Sequence, residues 1–136
     1  SRSLPKKPGP FMGNDAVTEL DCSQRLSLIT TGLAPTFVQV FYWLQHAPNT
    51  TTEEVFDFGQ QRYANEMSRL VGVLDFRLRE YEYLAKTYTI ADMAAYPWIN
   101  RHEFFGFSLD DFVGVRNWYN RLSKRAAIQR GLKVPS

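Results

Sequence analysis

An all-helical bundle is the fold class that this 136-residue sequence predicts, and three observations lead to it. Apolar residues recur at steps of three and four along most of the chain, no segment alternates at period two, and Thr89-Ile90-Ala91-Asp92 carries a complete helix-start signal. In that signal the Thr89 side chain accepts from the amide of the third helical residue. The Asp92 carboxylate accepts from the Thr89 amide, so two donors that a helix start leaves bare are satisfied reciprocally. Met93–Ile99 then runs without a charge on any face, the pattern of a buried central helix enclosed by others. A chain of this length is one domain's worth and buries about 68% of the surface it exposes when unfolded.

Taken in order, Ser1–Pro10 holds three prolines and two lysines and reads as a linker or disordered start, leaving 11–136 as the helical domain. From about Asp15 to Gln45, Cys22, Leu26, Ile29, Leu33, Phe37, Val40 and Leu44 mark one face of a long first helix. Pro35 lacks an amide proton and its ring crowds the carbonyl four residues back, so a kink near Thr31 is expected. Ala47-Pro48-Asn49 reads as a turn, and Thr52 as the cap of a short helix ending at Gly59. Tyr63, Met67, Leu70, Leu74, Leu78 and Tyr81 form the next stripe, with arginines on the other faces. The capped helix is expected to run from Thr89 to about Phe104. A last amphipathic helix carries Val115, Trp118, Tyr119 and Leu122, starts at Asp110 or Asp111, and is followed by a final turn over Ala126–Arg130 that stops at Gly131.

Composition excludes several classes of function. The net charge of +2 is spread out, with Lys6-Lys7 and Lys124-Arg125 the only adjacent basic pairs, so no stripe suited to nucleic acid exists. No run of about 20 predominantly apolar residues suits a membrane span, and the chain starts without a signal-peptide core, which points to the cytoplasm. Cys22 is alone and reads as a small buried hydrophobe. His46 and His102 have no companions at ligand spacing, so no metal is expected. Aromatic residues make up 15% of the chain, enough for a ring-rich cavity or a second buried interface.

Thr89, Ile90, Ala91 and Asp92 resemble the capped sixth helix of the glutathione transferase C-terminal domain. Tyr96-Pro97-Trp98 narrows the resemblance to the branch holding the bacterial Nu-class disulfide-bond reductases and the yeast nitrogen-regulator-like enzymes. Gly32-Leu33-Ala34-Pro35-Thr36-Phe37-Val38-Gln39 resembles that branch's kinked fourth helix. Arg62-Tyr63 with Glu66, Arg69-Leu70 and Val73-Leu74-Asp75 resembles its fifth. The likeness extends from about Lys6 to Leu132.

The resemblance implies a glutathione transferase C-terminal-like helical bundle with glutathione as substrate, used for conjugation or glutathione-dependent disulfide reduction. It implies a homodimer, or pairing with a thioredoxin-like N-terminal domain that this sequence does not contain. The second substrate would be a small hydrophobic electrophile or a disulfide, and this chain alone would be inactive. Arg62 is the candidate for a glutathione contact across the dimer, since an arginine fork suits a carboxylate; read without the resemblance, it is a solvated charge paired with Glu66 four residues on. Phe37, Gln39, Phe41, Tyr42, Trp98 and Arg101 are candidates for lining the hydrophobic-substrate pocket, and Thr89 and Asp92 for a structural cap with no catalytic role. Four features depart from the branch. Val38 replaces a glycine and would narrow the site or shift the subunit contact, Arg25 stands where tryptophan is usual, Ala126 replaces a proline, and Thr50–Gln61 is longer than expected. A non-catalytic, stand-alone helical interaction module is the alternative reading.

Overall fold

The computed structural model describes residues 15–129, with side chains to residue 126. Among the described residues there are helices and no strands. They are α1 (Ala16–Leu28), a π-helical turn (Ile29–Leu33), α2 (Ala34–Thr50), α3 (Glu53–Glu80), α4 (Ile90–Ile99), α5 (His102–Phe105), a 3-10 turn (Leu109–Asp111) and α6 (Val113–Gln129). The linker expected over Ser1–Pro10 and the stop expected at Gly131 lie outside the described residues.

The long first helix does not break at its glycine and proline. The Ala34 amide reaches back five residues to the Ile29 carbonyl, so the expected kink takes the form of a π turn, with Pro35 in the first turn of α2 where its missing N–H costs least. Thr30 and Thr31 donate their hydroxyls to the Leu26 and Ser27 carbonyls at 3.0 and 2.6 Å, occupying backbone oxygens beside the widened turn. Cys22, Ile29, Leu33, Phe37 and Val40 are buried along this line, as the spacing predicts.

Four boundaries differ from the sequence expectation, each for a physical reason. The turn expected at Ala47-Pro48-Asn49 is the last turn of α2. Its end is closed by threonines: Thr51 Oγ1 and the Thr51 amide donate to the Ala47 carbonyl at 2.7 and 3.0 Å, and Thr50 Oγ1 donates to His46 at 3.0 Å. Thr52 does cap the next helix, accepting from the Val55 amide at 3.3 Å, but Gly59 does not end it and α3 continues to Glu80. Gly59 is there for packing, since a Cβ would fall 2.2 Å from Cζ2 of Trp43. Third, the capped helix closes at Ile99; after a turn through Asn100 and Arg101 comes α5, ended by Gly106 at φ 82°, a conformation that favours glycine. Lastly, neither Asp110 nor Asp111 caps α6. They sit in the preceding 3-10 turn, and the Val115 amide is instead accepted at 3.1 Å by Asp75 of α3.

That last contact shows how closely α6 meets α3. A Cβ on Gly114 would lie 2.8 Å from the Arg79 nitrogen and the Asp75 oxygen, so the two backbones touch there and only glycine fits. Asp75 is buried and its other oxygen holds Arg79 at 2.8 Å. Along the opposite flank Arg77 binds Asp21 of α1 at 2.6 Å and donates to the Leu84 carbonyl at 3.0 Å, which fastens α1 and the segment after α3 to one side chain.

The capping box forms as expected. Asp92 Oδ2 accepts from the Thr89 amide at 2.9 Å, and Thr89 Oγ1, which faces the third helical amide, also accepts from the second, that of Ala91, at 3.3 Å. Asp92 does more than cap, because its Oδ1 also accepts from the Leu84 amide at 3.0 Å and from the Trp118 indole at 2.8 Å. Burial pushes this carboxyl's pKa up, while the three N–H donors pull the other way. Ala91, Asp92, Ala95 and Ile99 face the core, and Met93 and Pro97 are exposed. Replacing Asp92 with alanine strands three buried donors and is expected to cost about 3 kcal/mol or more in denaturant unfolding. Asp92→Asn, which keeps an acceptor for two of them, should cost about half as much. Equal stability of the three proteins would show that the hub carries no load.

Candidate functional site

The hairpin of α2 and α3 holds two adjoining openings. Near the joined end the two helices part around a groove of about 860 Å³, with Thr36, Gln39 and Trp43 from α2 facing Val55, Phe58, Arg62, Tyr63 and Asn65 from α3. An adjoining recess of about 430 Å³ shares Gln39, Trp43 and Tyr63 and adds Tyr42, His46, Thr50 and Thr51. Trp43 is common to both. Its ring stacks on Phe56 at 5.9 Å with planes 7° apart, meets Tyr63 at 5.8 Å, and occupies the notch left by Gly59. Its indole nitrogen is buried without a hydrogen-bond partner.

The charges beside the groove are arranged unequally. The expected pairing of Arg62 with Glu66 is displaced by a closer one: Arg69 grips Glu66 with two bonds, Nη2 to Oε1 at 2.6 Å and Nε to Oε2 at 3.1 Å. This fork holds the Glu66 carboxyl below its usual range, with the charge of Arg62 adding a smaller pull in the same direction. Arg62 itself makes no ion pair or hydrogen bond among the described residues and is exposed at the groove. An unpaired guanidinium at the lip of a ring-lined groove can take a carboxylate bidentately without first breaking another contact.

The remaining candidates divide into two groups. Gln39 shares the groove with Arg62 and the recess with Tyr42, which is 64% exposed. Phe37 is completely buried among the rings of Phe105, Trp98 and Phe107, at 4.6, 5.7 and 6.0 Å. Phe41 packs on Phe104 at 5.6 Å. The candidates Phe37, Phe41 and Trp98 belong to an aromatic layer between α2, α4 and α5, and neither they nor Arg101, exposed at the start of α5, line the groove or the recess. Val38 is half-exposed and lines neither cavity, so the branched side chain does not narrow them. The longer Thr50–Gln61 segment is absorbed into the end of α2 and the start of α3, which makes the helix carrying Arg62 continuous. Trp43, Tyr63 and Phe58 are the site residues that sequence reasoning passed over. Exposed Phe58 and Val55 on an otherwise polar helix start were the available signal. Among the described residues no group of His, Cys, Asp and Glu could hold a metal ion, and no helix is long and apolar enough to cross a membrane.

Comparison with known proteins places this geometry in context. Residues 37–126 match the sequence model of the glutathione S-transferase C-terminal domain. The chain is 30% identical over 130 residues to the disulfide-bond oxidoreductase YfcG of Escherichia coli (strain K12), which covers 95% of this chain and 58% of that protein. Among solved structures, a glutathione transferase family member from Pseudomonas fluorescens pf-5, crystallised with two glutathione bound, superposes with a TM-score of 0.72 at 30% identity, over 93% of this chain and 57% of that one. The glutathione transferase URE2P5 from Phanerochaete chrysosporium gives 0.71 at 26% identity, over 87% and 54%. The chain thus spans a little over half the length of each of these three relatives.

The seating of Trp43 against Gly59 is open to direct measurement. Gly59→Ala must push the indole out of its notch, so its fluorescence should shift to the red and become more accessible to acrylamide, with a loss of about 1–3 kcal/mol in stability. Unchanged emission and stability would mean that the ring is not held there.

Proposed function

Since the chain belongs to the glutathione S-transferase C-terminal domain family, in the branch of the bacterial disulfide-bond oxidoreductases and Ure2p-like transferases, we propose that it is the helical half of a glutathione-dependent enzyme. Its reaction is conjugation of glutathione to an electrophile or reduction of a glutathione-linked disulfide. Arg62 carries the proposal: a guanidinium without an internal partner, held by a continuous helix at the lip of the groove and sharing that groove with Gln39. Glutathione presents carboxylates, and a planar fork of N–H donors fits one with two parallel bonds. The glutathione bound in the Pseudomonas fluorescens relative supports the ligand class.

What these residues contribute is binding and orientation. None of the described groove residues is a nucleophile, and activation of the glutathione thiol is assigned to a thioredoxin-like unit, because only a lowered thiol pKa yields enough thiolate near neutral pH. Residues 1–10 are assigned as the linker toward that unit, with the helical domain beginning after them. Tyr42 and Gln39 are assigned to the second-substrate pocket. The aromatic layer of Phe37, Phe41 and Trp98, with Arg101 beside it, backs that pocket.

A homodimer is part of the proposal. Arg62, Arg69, Val73 and Phe76 follow one another at helical spacing along α3, and Phe76 is 71% exposed, so the helix keeps an outward stripe that ends in apolar residues. A two-fold contact along it would bring Arg62 toward the neighbouring subunit's ligand. The cytoplasm, which supplies reduced glutathione, is the compartment assigned.

By itself the chain should give no aryl-halide conjugation above the uncatalysed rate, and robust turnover would overturn the division of labour between the two halves. Arg62→Ala should weaken glutathione binding, read by calorimetry on the protein complemented with its thioredoxin-like half, by roughly tenfold or more. Its thermal midpoint should hardly move, because no ion pair is lost. Unchanged affinity would remove Arg62 from the site.

A further inference from the structure

A second cavity lies away from the α2–α3 groove and shares no residue with it. It measures about 210 Å³ and is lined by Tyr88, Met93, Tyr96, Leu122, Arg125 and Ala126, where the segment before α4 meets α4 and α6. The guanidinium carbon of Arg125 stands 3.8 Å above the centroid of the Tyr88 ring. At that distance the cation is attracted to the ring face, and its N–H groups remain available to an acceptor. Arg125 makes no ion pair or hydrogen bond among the described residues, and it is the charged member of the described lining. The Tyr96 hydroxyl is already engaged with Ser123 Oγ at 2.8 Å. Lys124 and Arg121 flank Arg125 on α6, so the local field is positive.

We propose that this cavity is a binding site for a small carboxylate with a flat apolar body. The body would rest on Met93, Leu122 and the Tyr96 ring, and the carboxylate would meet the N–H groups of Arg125. At roughly 30 Å³ for each water in the liquid, the cavity holds about seven waters, which sets the size at a single ring rather than a peptide. Preorganisation favours the site, because a guanidinium attracted to the ring face has less freedom left to lose when the anion arrives. The assignment does not depend on the role given to Arg62.

Benzoate is the probe, and the readout is the methyl resonance of Met93 in the full chain. Met67, buried between α3 and its neighbours, serves as the internal reference. Benzoate should shift the Met93 signal saturably with a Kd near or below about 1 mM, and leave Met67 in place. Benzyl alcohol, of similar shape but neutral, and acetate, charged but without the body, should each bind at least roughly tenfold more weakly. Arg125→Gln should lose the benzoate response by a similar factor, and Ala126→Leu, which keeps the charge and fills the space, should abolish it. Absence of a saturable shift in the unaltered protein at tens of millimolar benzoate, or equal responses to benzoate and benzyl alcohol, would overturn the proposal.

Discussion

The buried carboxylate of Asp92 is the constraint on which the rest of this lobe depends. Its two oxygens gather N–H groups from Thr89, Leu84 and Trp118, which belong to the cap of α4, the segment leaving α3, and α6. Removing a carboxylate from water is costly, and only a complete set of donors makes such burial tolerable. The geometry of those three elements is therefore specified together. If one of them shifts, Asp92 loses a partner that no water can replace. Asp75 repeats the device on a smaller scale by holding the first turn of α6 against α3. Two acidic side chains thus decide where α6 lies, although neither belongs to it.

The cap at Thr89 was legible because every group it needs lies within four residues. So was the buried stripe of α3, where Met67, Leu70, Leu74 and Leu78 follow the helical period. The bond from the Trp118 indole to Asp92 was not, since 26 residues separate its ends and no local pattern announces it. The errors at Gly59 and Pro48 share one origin. Both residues weaken a helix on average, yet here one makes room for an indole and the other falls where threonine hydroxyls take over the exposed carbonyls. Tertiary packing overrode propensity at Gly59, and local side-chain bonds at the helix end did so at Pro48. At the site, Arg62 and Gln39 were legible through resemblance rather than through physics, and the pairing of Glu66 with Arg69 rather than Arg62 was invisible because i+3 and i+4 partners compete on equal terms. The separation of Phe37 and Phe41 from the groove follows from the turn that α2 makes about its own axis, which spacing alone does not orient.

The groove and the core are built from the same helix by division of faces. Phe37 and Val40 point inward, whereas Gln39 and Trp43 open toward α3. This arrangement explains why the aromatic content is high without the interior being unusually large. Rings serve twice, once as the layer between α2, α4 and α5 and again as the walls of an opening that stays in contact with solvent. An unpartnered indole N–H and an unpaired guanidinium stand beside that opening, whereas the ion pairs of Arg77 with Asp21 and of Arg79 with Asp75 lie where the helices pack.

The five-residue π turn at Ile29–Leu33 acts as a phase shifter for everything that follows it. An ordinary α-helix advances about 100° per residue, so one additional residue accommodated in a wider loop of backbone resets the angular position of α2 relative to α1 by that order. Excising a single residue there would leave a more regular rod, but it would swing Phe37 toward water and turn Trp43 away from its notch. The irregularity is thus the gear that meshes two otherwise independent helical faces, and insertions or deletions at this place should be far less tolerable than at the hairpin end beyond Thr50.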